Sequence, residues 1–314
     1  MHLAPIGVST YIRINHIKRT IEALQKNTLA KQSDLYVFSD APKPGDEAEV
    51  AIVRKYLHTI DNFKSVNIIE RSVNSRVANG RGGLKMLLEQ HGRCIFMEED
   101  IVTAPGFLQF MNDALRQYSN NDQILAVSGY CWPIKIPESY SFDIYILKRI
   151  SAWGIGFWKN KYEMIKPVSE QQLDLLISDK KKLRELTIFG DDILSLLEAE
   201  VKGEIDALDV KAMYWQFILN LYTVYPRQSL TQNIGCDGSG VHCSSTEKYS
   251  VTLWDKTESF NMPFIPKLVR DIVNSNKKFF SFGKIYWLKR KLKTRWFKRK
   301  LLEGYSCLRH QFIK

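Results

Sequence analysis

Cysteine is scarce in this chain: five residues in 314, Cys94, Cys131, Cys236, Cys243 and Cys307, an odd number with no CxxC pair. That excludes a disulfide framework and a structural zinc centre of the usual spacing, and it fits a reducing cytoplasm. Nowhere does an apolar run approach the roughly 20 residues that a membrane-spanning helix needs. Met1–Pro5 lacks the basic start and apolar run of a secretory leader, so an unexported, non-spanning chain is expected. Gly-Lys-Ser/Thr and a GxGxxG after a strand are missing too, which removes support for an NTPase or a dinucleotide enzyme. Internal repeats and low-complexity tracts are likewise absent.

What is present is ordinary globular composition, 45% apolar and 25% charged, enough for one large α/β domain with a smaller appendage. The formal net charge of +11 is local. Lys277–Lys314 holds 13 of the 45 Lys and Arg but only Glu303 of the 34 acids, leaving 32 bases against 33 acids in the preceding residues. The body is neutral, and the end of the chain alone is basic.

Through the first 130 residues, short apolar runs alternate with helical periodicity, as a parallel sheet with crossover helices requires. Ala4–Val8, Leu35–Ser39, Asn67–Glu70, Cys94–Met97 and Ile124–Ser128 read as strands. Ile17, Ile21 and Leu24 share a helix face, as do Leu84, Leu87 and Leu88, and Pro105-Gly106 opens a further helix. Order and lengths suit a doubly wound sheet whose ligands sit at the carboxyl ends of its strands. Beyond Tyr130 come the aromatic cluster Trp153, Phe157, Trp158, Tyr162 and helical stretches at Gln171–Ile177, Ile193–Val201 and Val210–Leu221. A polar glycine-rich run, Gln232–Gly240, follows.

Glu98-Glu99-Asp100 comes directly after an apolar strand. Three adjacent acids repel one another unless a cation offsets them, and such an oxygen-rich corner suits Mg²⁺ or Mn²⁺ bridging a diphosphate; a solvated loop ahead of the next helix is the plainer reading. Asn74, Arg76 and Arg81 surround Asn79–Gly83, read as a glycine-rich loop opening a helix, where backbone N–H groups can receive phosphate or the arginines merely stay solvated. Gly203-Glu204-Ile205-Asp206 precedes a helix, with Asp206 expected as its N-cap and Asp209 one turn in; either can serve as a general base. Asp191-Asp192 reads better as a cap for the helix at Ile193.

The string Phe96-Met97-Glu98-Glu99-Asp100-Ile101-Val102-Thr103-Ala104-Pro105-Gly106-Phe107 resembles the acidic metal segment of the N-acetylglucosaminyltransferases that begin complex N-glycan branching. It is similar also to a bacterial family-2-like group found in polysaccharide clusters. Val8–Arg13, Phe38-Ser39-Asp40 and Gln232–Gly235 leading to Gly238–His242 agree with that group, so the likeness spans residue 4 to about 243. It implies the GT-A type of glycosyltransferase fold and metal-dependent, inverting transfer from a nucleotide-diphosphate sugar, with UDP favoured, to a glycan or lipid-linked glycan acceptor of bacterial surface polysaccharide such as O-antigen or capsule. Asp100 would hold the metal and Glu99 lie near the ribose or the metal; Arg13 and Asp40 would contact the nucleotide. Pro5, Tyr11, Asn74, Arg76, Arg81 and Glu98 complete the donor-contact candidates, and His242 is a candidate metal ligand or phosphate contact. For the base, Asp206 comes first and Asp209 second, although Leu208 stands where the family usually has tryptophan. Ser151-Ala152-Trp153-Gly154 resembles a family tryptophan-glycine segment, an acceptor platform or a core cluster.

The expected organisation is a catalytic domain over residues 1–245, with its nucleotide half at about 1–130 and its acceptor half at 131–245, then an extension over 246–314. In that extension Ile285, Leu288, Leu292 and Trp296 fall within an ~80° helical arc ringed by lysines and arginines. This pattern points to an anionic membrane surface, placing the protein peripherally on the cytoplasmic side of a bacterial membrane, rather than to nucleic acid. Two other classes are alternatives: a sugar-1-phosphate nucleotidyltransferase, whose lysine-containing phosphate loop is missing from Pro5–Ser9, and a non-catalytic membrane- or nucleic-acid-binding adaptor acting through the basic tail.

Overall fold

The computed structural model describes residues 2–239 and 245–281. His242 and the basic amphipathic stretch at 285–300 therefore lie outside the described residues. The described residues form ten strands: β1 (Ile6–Thr10), β2 (Asp34–Ser39), β3 (Ser65–Glu70), β4 (Arg93–Glu98), β5 (Ile101–Thr103), β6 (Ile124–Ser128), β7 (Ile144–Leu147), β8 (Ile155–Trp158), β9 (Tyr222–Pro226) and β10 (Thr231–Asn233). The helices are α1 (Ile14–Gln25), α2 (Glu47–Leu57), α3 (Arg76–His91), α4 (Phe107–Gln117), α5 (Lys159–Tyr162), α6 (Glu170–Ser178), α7 (Lys180–Thr187), α8 (Ile193–Val201), α9 (Leu208–Ile218) and α10 (Arg270–Phe279).

Eight strands form one mostly parallel sheet in the order β3-β2-β1-β4-β8-β6-β9-β7, in which only β7 and β8 run against the rest. Its α/β character follows from strands buried on both faces. In β4, Cys94 and Phe96 enter one core, shared with Leu84, Leu87 and Leu88 of α3. The alternating Ile95 and Met97 enter the other, shared with α1 and α4. Period-two alternation with apolar residues on both sides is what a helix-covered sheet demands. Each such fully buried side chain contributes about 1.5–3 kcal/mol relative to exposure.

The chain steps outward from β1 through β2 to β3, then returns to pair β4 on the other side of β1, with Ser9 opposite Glu98. That reversal opens a crevice between the carboxyl ends of β1 and β4. A separate two-stranded ribbon, β5 with β10, runs antiparallel and ties Asn233 to Ile101.

Three local expectations are corrected. Asn79–Gly83 is no loop but lies inside α3, whose N-cap is Ser75, accepting from Ala78 N at 3.2 Å. Gly83 is needed there because a Cβ would come within 2.8 Å of the Phe38 ring. Ala207, not Asp206, is the N-cap residue of α9. Asp192 precedes α8 but makes no side-chain cap; it pairs bidentately with Arg149, at 2.6 and 3.0 Å.

The stretch expected as an extension packs on the body as far as residue 281. Trp254 N donates to Ser229 O, Lys256 Nζ and Asn261 N both reach Asp143 Oδ2 at 2.7 Å, and Phe260 meets Phe110 edge-on. Gly106 permits this crossing, since a Cβ there would fall 2.0 Å from the Lys256 carbonyl oxygen. Among the described residues no helix is long and apolar enough to cross a membrane.

Candidate active site

At the crevice, Glu99 and Asp100 are buried, whereas Glu98 faces the opening. Glu99 is held from four sides. Its Oε2 accepts from Thr10 Oγ1 at 2.5 Å and Tyr11 N at 2.7 Å, its Oε1 accepts from Arg13 Nε at 2.6 Å, and its backbone carbonyl accepts from Thr20 Oγ1 at 2.6 Å. Arg13 Nη2 donates to Asp100 Oδ2 at 2.7 Å. Burial works against the Arg13 charge, but the two carboxylates outweigh it and hold the guanidinium above its ordinary value. The cation that the acid triplet demands is thus supplied, for two of the three acids, by the protein itself.

The corner is still incompletely satisfied. Among the described residues Asp100 Oδ1 and Arg13 Nη1, an acceptor and a donor of the same ion pair, are both buried without a hydrogen-bond partner. Unmet buried polar atoms of this kind cost about 1–3 kcal/mol each and call for explanation. Gly235 caps the pair: a Cβ at that position would lie 2.1 Å from Asp100 Oδ2 and 3.0 Å from Arg13 Nη1. The β5–β10 ribbon brings it there, through the Ile234 N to Asp100 O bond of 2.8 Å. Glu98 ends β4 as an exposed residue whose carboxyl feels the charges of Asp100, Glu99, Arg76 and Arg13. Enclosure first, then the neighbouring Asp100, raise its carboxyl to about 7, against the opposing pull of Arg76.

Around this centre the donor-contact candidates take different roles. Asp40 Oδ1 accepts from Ala41 N at 2.9 Å and Ser75 N at 3.0 Å, while Asn74 Nδ2 donates to Ala41 O at 2.6 Å, so the pair shapes the turn after β2. Tyr11 donates its phenol proton to Asp46 and accepts from Lys43 N, ordering the 40–46 loop. Arg76 is exposed at the start of α3. Pro5 precedes β1, its carbonyl accepting from Ile95 N, so the whole strand lies between it and the crevice.

The two candidate bases differ. Asp206 is exposed and pinned by Arg81 Nη2 at 2.5 Å and Lys211 Nζ at 2.7 Å, and these bonds hold its carboxyl below the ordinary value. Arg81 is therefore engaged with α9's approach instead of presenting a free charge. Asp209, in the first turn of α9, is half-buried and has no salt bridge among the described residues; burial raises its carboxyl, opposed by the Val210 N–H and by Arg149. A carboxyl with a raised pKa is the better proton acceptor at neutral pH.

Thr10, Thr20 and Asn79 were not singled out from sequence. Asn79 Nδ2 donates to Thr10 O and Phe38 O, closing the ends of β1 and β2. Trp153 sits half-buried in an aromatic cluster with Tyr130, Trp132 and Tyr249. Among the described residues no three His, Cys, Asp or Glu side chains converge to hold a metal ion.

No family profile and no curated protein matches the chain. Solved structures similar to it include residues 1–349 of S. aureus TarS, at 12% identity over 75% of this chain and 61% of that one, TM-score 0.40. The same protein in complex with UDP matches at 14% identity over 73% and 59%, TM-score 0.38. Mannosyltransferase PcManGT from Pyrobaculum calidifontis, in complex with GDP-Man and Mn²⁺, matches at 13% over 52% and 45%, TM-score 0.34. The chain spans between 45% and 61% of the length of these solved chains. Likeness at this level is partial, and the chemistry proposed for this chain rests on its own geometry.

Proposed function

We propose that this chain is a glycosyltransferase of the GT-A type, moving a sugar from a nucleotide-diphosphate sugar to a hydroxyl of a glycan acceptor with inversion. One observation carries the reading: a strand-end acid triplet at the sheet's switch point, where the paired Asp100 and Arg13 each keep a buried atom, Oδ1 and Nη1, without a partner among the described residues. An unpartnered carboxylate oxygen suits a divalent cation, and an unpartnered guanidinium N–H suits a phosphate oxygen.

Asp100 would hold Mn²⁺ or Mg²⁺, with His242 a second candidate outside the described residues. The ion would supply Lewis-acid neutralisation of the diphosphate leaving group. Glu99 fixes Arg13 in place, and Arg13 presents its free Nη1 to the diphosphate. Asp209 accepts the proton of the acceptor hydroxyl as its oxygen bonds to the anomeric carbon; the anomeric bond to the diphosphate breaks on the opposite face. UDP is the nucleotide favoured by the resemblance at Phe96–Phe107, and a lipid-linked acceptor of bacterial surface polysaccharide is the substrate class. The basic tail then holds the enzyme to the cytoplasmic leaflet.

The test is a thermal-shift and hydrolysis screen of nucleotide sugars with and without Mn²⁺. Stabilisation and turnover by one uridine diphosphate sugar, only with metal and lost in Asp100→Ala, is the expected result. Turnover by a folded Asp100→Ala protein at the native rate overturns the metal assignment.

A further inference from the structure

Phe264 is 81% exposed, the largest exposure of any large apolar side chain among the described residues, and its neighbour Ile265 is 64% exposed; Leu268 adds 40%. Single exposed apolar residues are ordinary, but three within five residues on one loop are not. Nor is the loop loose. The Pro263 carbonyl accepts from Tyr118 Oη at 2.7 Å and from Gln117 Nε2 at 3.2 Å, and the Met262 carbonyl accepts from Gln117 Nε2 at 3.0 Å. Pro266 is buried, so a proline stands on either side of the two exposed residues. The fold therefore fixes a convex apolar tip in water.

Its surroundings select the partner. Between residues 259 and 281, Lys267, Arg270, Lys277 and Lys278 stand against Asp271 alone. All four bases are exposed. The chain continuing from residue 282 carries eleven more Lys and Arg against one acid. A projecting tip offers no groove for a peptide, whereas apolar side chains collared by bases match the acyl boundary and the anionic headgroups of a bilayer.

We propose that the 263–268 loop is a membrane-insertion point, with Phe264 and Ile265 entering the interfacial layer of an anionic bilayer and Lys267 and Arg270 meeting its headgroups. The proposal shares its partner with the reading of the basic tail but stands on separate residues. Because these side chains are exposed, replacing them leaves the folded core intact.

The experiment uses the full chain with vesicles of phosphatidylglycerol mixed with phosphatidylcholine. Phe264→Ser/Ile265→Ser is expected to weaken co-sedimentation at least ~10-fold while metal-dependent donor hydrolysis stays unchanged. In a second measurement, Phe264→Trp should show quenching by brominated lipid. Native-strength sedimentation of the double variant, or an unquenched Phe264→Trp, overturns the insertion point. If the double variant instead turns a dimer into a monomer in the absence of lipid, the loop belongs to a second copy and the proposal also fails. Wild-type protein that ignores these vesicles sinks both membrane readings, while the hydrolysis assay judges the transferase reading separately.

Discussion

Two corners of the molecule carry acidic residues ahead of or within a helix-bounded turn, and they treat them in opposite ways. At the end of β4, Glu99 is locked by Thr10, Tyr11 N, Arg13 and Thr20, while one oxygen of Asp100 has no partner among the described residues. At the start of α9, Asp206 is consumed by Arg81 and Lys211, while Asp209, three residues on, goes without an ion pair among the described residues. In each corner one carboxylate is fully paired within the described residues and its neighbour is not, and the proposed chemistry is assigned to the second. Proximity in sequence says little about which is which.

Asp100→Ala should break this contrast most severely. Its removal is expected to cut transfer by about 10³-fold or more while circular dichroism shows an intact fold, because an interaction with developing charge is lost. Next comes the second corner: Asp209→Asn should lower kcat by about 10²–10⁴-fold with little change in donor KM, and Asp206→Asn by less than about tenfold. Steady-state kinetics on both variants reverses the assignment if the order is inverted. Gly235→Ala tests the cap over the first corner. Overpacking against Asp100 should cost about 1–3 kcal/mol of stability, read by denaturant titration, and weaken the metal-dependent thermal shift.

The smallest effect sharpens the comparison through its sign. Asp206 has a lowered carboxyl, so its stabilising contribution is present above its ordinary value and fades as pH falls through the folded one. Asp206→Asn should therefore lose less than about 1 kcal/mol at neutral pH and nothing in acid. Asp209 is raised, so its contribution is present below the ordinary value and disappears as pH rises through the folded one. Asp209→Asn should be the more stable protein at neutral pH. Urea unfolding of both variants, at neutral and acidic pH, checks the opposite signs.

Strands β1–β4 and β6 were readable because each is a continuous apolar run between turn residues. Their edges shifted by at most a few residues: β1 runs Ile6–Thr10 against the expected Ala4–Val8, and β6 coincides with its expected span. By contrast β7, β8 and β9 are four or five residues long and sit among aromatic clusters and prolines, where periodicity has too little length to act. The glycines of α3 misled because glycine usually marks a loop; here Gly83 makes room for the Phe38 ring. The acid triplet stood out by position alone. What sequence left hidden was who pairs with whom. Arg81 meets Asp206 across 125 positions, and Thr10, Arg13 and Thr20 reach Glu99 across 79 to 89.

The β5–β10 ribbon has one further effect. Because Ile234 N is bonded to the carbonyl of Asp100, the peptide leading into the 236–239 turn, where Asp237 lies 3.2 Å from His16, is bolted to the same backbone that bears the acids. The position of that turn and the position of the acids are thus set by one shared stretch of backbone.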